Sequence, residues 1–282
     1  MKTRAGLISL LILSMAALAA CGQADSGTKA TTTAASADHP VTVRIGMVDF
    51  PPYNEIINLV KDNLKKENIN LEIKAFTDVT IPNQALNNKE IDLNYFQSES
   101  YLEQFNKSNN MDLVPLTVTF SGIFGLYSKT YKSIDEVPEG ATISIPADPA
   151  NSGRSLALLN EHGLIKLKDG VGVHGSKQDI LENKKKYKIV EIDQMLLPQA
   201  YNDSDLTAMP STYALQAKLV PSKDTLIREG AFYGNDFFIV LAARKDSQDD
   251  ANIQKVANAF QHEDVKKLIR EKYGDAFFWK KE

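Results

Sequence analysis

Val41-Thr-Val-Arg-Ile-Gly-Met47 is a short run rich in β-branched residues and predicts a strand. Behind it, Asn54 to Lys66 sets Ile56, Ile57, Val60 and Leu64 at i, i+1, i+4 and i+8, the apolar stripe of a helix. The unit then repeats. Leu71 to Phe76 and Ile91 to Phe96 predict strands separated by a short helix that Pro82 opens, and Ser98 to Phe105 predicts the next helix. Further strands are expected over Ile123 to Ser128, Thr142 to Ile145 and Lys188 to Ile192, with a helix from Arg154 to His162 closed by Gly163. Such alternation predicts an α/β fold in which helices flank largely parallel sheets. Near the end, Phe237 to Ala243 is wholly apolar and reads as a strand buried on both faces. Asp250 to Gln261 and Glu263 to Tyr273 carry the stripes of two covering helices.

Composition narrows the function classes. The formal net charge is −4 with no basic stripe, so the electrostatic footprint that a nucleic-acid backbone requires is missing. Hydrophobic residues make up 43% of the chain, enough to bury a core without disulfides. The single cysteine leaves no thiolate metal site, and the four histidines show no H-E-x-x-H spacing. No G-x-S-x-G occurs either, so no metal, no cofactor and no catalytic residue is expected. Gly170-Val-Gly-Val-His-Gly175 matches G-x-G-x-x-G in form, with a helix expected from Ser176. The charged Lys166 to Asp169 before it is not the apolar strand a dinucleotide fingerprint needs.

The N-terminus has the layout of an export signal. Lys2 and Arg4 precede the uncharged, mostly apolar stretch Ala5 to Ala20, which ends in Leu18-Ala19-Ala20-Cys21, a bacterial lipobox. Residues 1–20 are therefore expected to be cleaved and Cys21 to carry the lipid, placing the protein on the extracytoplasmic face of a cell membrane. Thirteen of the seventeen residues from Gly22 to Asp38 are Ala, Ser, Thr or Gly, the composition of a flexible tether over residues 21–40.

Asp148-Pro149-Ala150-Asn151-Ser152-Gly153-Arg154 is the segment with most chemistry. Asp148 as N-cap and Pro149 at the first helical position form a coherent helix start, with Asn151 a competing cap. Either start puts Arg154 early in a helix, where a carboxylate could dock between the guanidinium and free N–H groups. A salt bridge from Arg154 to Asp148 is the structural alternative. Tyr95-Phe96-Gln97-Ser98 ends a strand at the edge where α/β ligands gather, although Phe96 could equally serve the core.

Four motifs in order, Pro82-Asn83-x-Ala85-Leu86, Ile91-Asp92-x-Asn94-x-Phe96-Gln97, Asp148-Pro149-x-Asn151-x-Gly153-Arg154 and Gly163-Leu-Ile-Lys-Leu-Lys-Asp-Gly170, resemble the NlpA/MetQ lipoproteins. The resemblance spans Val41 to Tyr273. It implies a two-lobed periplasmic-binding-protein fold, type II-like, with a ligand cleft between lobes, serving an ABC importer that usually carries methionine. By that likeness lobe one is 41–128 plus 232–282, and lobe two is 129–231. The implied partners are a carboxylate-bearing small molecule, an ABC permease with its ATPase, and the membrane through the lipid anchor.

The likeness also assigns residues. Arg154 stands where the family holds the ligand carboxylate, beside Asn151 of the same motif, and Phe96 stands where it contacts the ligand side chain. Elsewhere the pattern departs, with Val79 for Tyr, Ser98 for His, Gly122 for Tyr, and Pro210 and Ile239 for two Asn residues. Those losses imply a larger pocket and a missing amine partner, which Asn235 or Asp236 could replace. The rival classes are an extracytoplasmic enzyme on the same fold and a surface adhesin.

Overall fold

A computed structural model describes residues 40–230 and 236–280. The signal sequence, Cys21, the tether and Asn235 lie outside the described residues.

The chain opens as its apolar pattern dictates. Strand β1 (Val41–Val48) leads into α1 (Tyr53–Lys65), which buries Ile56, Ile57, Val60 and Leu64, and returns as β2 (Ile69–Phe76). Helix α2 (Ile81–Asn87), β3 (Leu93–Ser98), α3 (Glu99–Asn109) and β4 (Val114–Val118) complete the first half. Two short strands follow, β5 (Phe120–Gly122) and β6 (Phe124–Tyr127). The second half runs through β7 (Thr142–Pro146), α4 (Pro149–Glu161), β8 (Lys166–Leu167), β9 (Ile180–Glu182) and β10 (Lys188–Ile192). It ends with α5 (Leu197–Asp203), β11 (Leu206–Pro210), α6 (Ser211–Gln216), α7 (Pro221–Asp224) and β12 (Thr225–Arg228). The chain then returns to the first half as β13 (Ile239–Ala243), α8 (Ala251–Ala259), α9 (Glu263–Tyr273) and β14 (Phe277–Trp279).

Two five-stranded sheets share one design. The first has the order β2-β1-β3-β13-β4 and the second β10-β7-β11-β6-β12. In each, three parallel strands are followed by one antiparallel strand that the chain donates while crossing from the other half. The sequence reading places β6 with lobe one. It is hydrogen-bonded to β11 and β12 in the second sheet, so the crossing falls at Thr119–Ile123 instead of after Ser128. Single-strand patterning cannot reveal this, because an apolar strand fits the centre of either sheet.

The expected seven-residue strand at Phe237 is shorter. Only Ile239–Ala243 enters the ladder between β3 and β4, while the carbonyl of Phe237 accepts from Ser121 Oγ at 2.9 Å and that of Phe238 from Glu99 N at 3.1 Å. Phe237 is thereby freed to face the crossing. The helix expected from Ser176 is also corrected. Ser176 and Asp179 form a reciprocal capping box on one 3₁₀ turn, and the chain then enters β9.

The motifs behind the resemblance have structural duties. Asn83 Nδ2 donates to Gln97 Oε1 (2.7 Å), Asn94 Nδ2 to Asn83 Oδ1 (2.8 Å), and Gln97 Nε2 to both Asn83 Oδ1 (2.7 Å) and Asn94 Oδ1 (2.9 Å). All three amides are buried, so each satisfies the others where water is excluded. This triad fixes the end of β3 on which the site is built. Removing the hub by Asn83→Ala strands several of these groups, at about 1–3 kcal/mol for each left unsatisfied. Urea unfolding checks it, and a loss below about 0.5 kcal/mol would mean that water replaces the amide. Immediately before β3, Asp92 accepts from Arg44 through its backbone N, Nε and Nη2 at 2.8–3.0 Å. Burial pushes the Asp92 carboxyl up, but these bonds and the Arg44 and Arg244 charges outweigh it and hold the group below the usual range.

Candidate ligand-binding site

Parallel strands of both sheets end facing the crossing, where α/β folds gather ligands. From the first sheet, Phe96, Gln97 and Ser98 come off the end of β3, with Tyr53 from α1 and Tyr101 from α3. From the second, Asn151 and Arg154 come from α4, and Ser211, Thr212 and Tyr213 open α6. Phe120, Gly122, Phe237 and Phe277 of the crossing segments close the ring around a cavity of about 50 Å³. That is room for a few waters. Small-ligand sites commonly span about 300–1,000 Å³.

The walls divide by chemistry. Tyr53, Phe120 and Phe277 form a continuous aromatic side, with centroids 5.9 Å apart for Tyr53–Phe120 and 5.0 Å for Phe120–Phe277. Phe96 meets Tyr101 edge-on at 5.9 Å. Burial pushes the hydroxyls of Tyr53, Tyr101 and Tyr213 up, so all three stay neutral and able to donate. Ser98, buried, caps α3 by accepting from Tyr101 N at 3.3 Å.

Helix α4 begins as its sequence dictates. Asp148 is the N-cap and accepts from Asn151 N (2.9 Å) and Asn151 Nδ2 (3.0 Å), with Pro149 at the first position. Burial raises the Asp148 carboxyl, and the Asn151 bonds pull it back. The Arg154–Asp148 salt bridge posed as an alternative is not found among the described residues. Arg154 stands in the second turn, and Asp148 takes the N–H groups of Asn151 and Ser152, through its carboxylate and its carbonyl respectively.

The guanidinium is instead engaged by Glu229, which sequence reasoning missed. Arg154 Nε donates to Glu229 Oε2 at 2.9 Å and Nη2 to Glu229 Oε1, while Nη2 also reaches the carbonyl of Gly122 at 3.3 Å. Both side chains are buried, at 5% and 7% exposure. The rings of Phe237 and Phe124 cover the cation at 4.2 and 4.8 Å. The parallel donor pair expected for a ligand is therefore filled from within, and Nη1 has no hydrogen-bond partner among the described residues. Glu229 does not line the cavity but the adjoining groove, with Ile123, His162 and Phe278. Nothing local in Arg228-Glu229-Gly230 marks it, because its partner is 75 residues away.

Five expected positions, Phe96, Ser98, Gly122, Asn151 and Arg154, come together on the cavity, and so do Pro210 and Ile239. Asp236 does not. It is exposed and absent from the lining.

The family model described as NlpA lipoprotein matches residues 43–279. The chain belongs to the NlpA lipoprotein family. Within that family it is 36% identical over 259 residues to outer membrane lipoprotein 2 of Mannheimia haemolytica, covering 92% of each chain. It is 39% identical over 202 residues to the D-methionine-binding lipoprotein MetQ of Escherichia coli, covering 71% of this chain and 74% of that one. A nutrient binding protein from Burkholderia cenocepacia, solved bound to methionine, superposes with a TM-score of 0.80 at 32% identity, covering 85% of this chain and 100% of that one. Among the described residues of this NlpA-family member no helix is long and apolar enough to cross a membrane.

Proposed function

We propose that this protein is the substrate-binding lipoprotein of an ABC importer and that its cargo is methionine or a closely related carboxylate-bearing small molecule. The observation that carries the reading is the buried Arg154, the one charged side chain among the described residues that line a cavity between the two sheets. A carboxylate is received through Nη1 of the guanidinium, which Glu229 leaves without a hydrogen-bond partner among the described residues, while the Tyr53, Phe120 and Phe277 wall takes an apolar side chain. The name of MetQ and the methionine in the Burkholderia protein support the choice. Closure of the halves around the ligand makes a shape that a membrane permease can read, its ATPase supplying the energy. Lipid on Cys21 and the tether keep the folded body beside that permease, on the extracytoplasmic face.

Ligand that binds only the folded chain must raise its stability, by about 2.7 kcal/mol at a hundredfold excess over Kd. L- and D-methionine, added separately to the purified soluble chain, are expected to raise Tm in at least one case, with saturable calorimetric heat. If neither produces a shift or heat at millimolar concentration, the methionine reading is wrong.

A further inference from the structure

Glu229 does more than fill the fork of Arg154. Among the described residues the cavity lining contains one formal charge, the guanidinium, and no carboxylate. Directly behind the cavity wall, Glu229 cancels that charge at hydrogen-bond distance. It is also held in place: its Oε1 accepts from Phe124 N at 3.2 Å, and its own N–H donates to Phe124 O at 3.1 Å. A carboxylate fixed to a strand in this way does not swing aside to make room for a ligand's carboxylate.

We infer that Glu229 is a specificity-determining residue: it makes the cavity electrically neutral, so that the site takes a ligand of zero net charge, a zwitterion, in preference to the matching anion. The reason is the cost of an uncompensated charge in a closed, low-dielectric space. A zwitterion brings its own counter-charge. An anion entering beside the Arg154–Glu229 pair leaves the enclosed group at −1, whereas the same anion beside Arg154 alone leaves it neutral. Glu229 is a positioning residue in this scheme. It acts on the ligand through Arg154. The inference rests on the methionine-class reading above.

Calorimetric titration of methionine and of its des-amino analogue, the same chain with hydrogen in place of the ammonium, separates the possibilities. Wild type is expected to prefer methionine. In Glu229→Gln, whose amide oxygen still accepts from Arg154, the ratio of the two affinities is expected to move toward the des-amino acid by about tenfold or more. Glu229→Asp keeps the charge and is expected to keep the wild-type ratio. A Glu229→Gln protein that weakens both ligands alike overturns the inference and leaves Glu229 a purely structural partner. So does wild type binding the two within about threefold, a result that needs no folded variant. Absence of binding to wild type by either compound is a different pattern. It removes the methionine-class reading itself, and the inference with it.

Discussion

Arg154→Ala is expected to abolish the ligand-induced rise in Tm and, before any ligand is added, to lower stability by about 3–5 kcal/mol. That is the cost of leaving a buried carboxylate without its partner. Glu229, at 7% exposure, is that carboxylate, and the loss of the guanidinium between Phe124 and Phe237 adds a cavity. For a chain of this size the loss corresponds to about 10 °C in Tm. A low melting point alone would confuse folding with binding. The double variant Arg154→Met/Glu229→Gln removes both charges, and much of the stability is expected to return because an apolar chain can occupy the same slot between the two rings. Its response to methionine should stay absent. Differential scanning fluorimetry on the three proteins reads both effects, and an Arg154→Ala protein that keeps the wild-type ligand shift removes Arg154 from the site.

Gly153→Ala is expected to be nearly as damaging, for a reason unrelated to charge. A Cβ at Gly153 would lie 2.0 Å from the carbonyl oxygen of Val173 and 3.1 Å from that of Gly175. Both contacts are backbone, so no side-chain rotation relieves them. Helix α4 must move away from the 171–175 loop or the loop must lift, an overpacking cost of about 1–3 kcal/mol or more. Either movement carries Arg154 off Glu229 and the cavity, so ligand affinity should fall together with stability. Chemical unfolding and calorimetry on Gly153→Ala test the two together. Wild-type stability would mean that the loop gives way freely.

That contact also explains the stretch whose form suggests a dinucleotide fingerprint. Gly170 and Gly172 take positive φ (83° and 50°), a backbone path that L side chains rarely adopt, and the loop they shape seats Val173 and Gly175 against Gly153. The Gly-rich segment and the glycine before Arg154 are two sides of one close approach.

Much of the element order was legible because its signals are local. The stripe of α1, the Asp148 cap with Pro149, and the ends of α9 at Glu263 and Tyr273 each depend on neighbours within a turn or two. The motif residues Phe96, Ser98, Gly122, Asn151 and Arg154 could be named as candidates, and they do converge. Their partners could not be named. Tyr53, Tyr213 and Phe277 look like ordinary core aromatics, since an apolar ring gives the same sequence signal whether it packs or lines a cavity.

By itself the sequence determined the α/β alternation, the order of most elements and the segment that carries the guanidinium. Periodicity and capping are properties of contiguous residues, and contiguous residues are what a sequence displays. Tertiary structure alone decided that β6 belongs to the second sheet, that Phe237 leaves its strand to cover Arg154, and that Glu229 takes the donors a ligand was expected to fill. Each of these is a choice among distant partners of equal local fitness, and it is made by which carbonyl, ring or carboxylate the closed fold brings within reach.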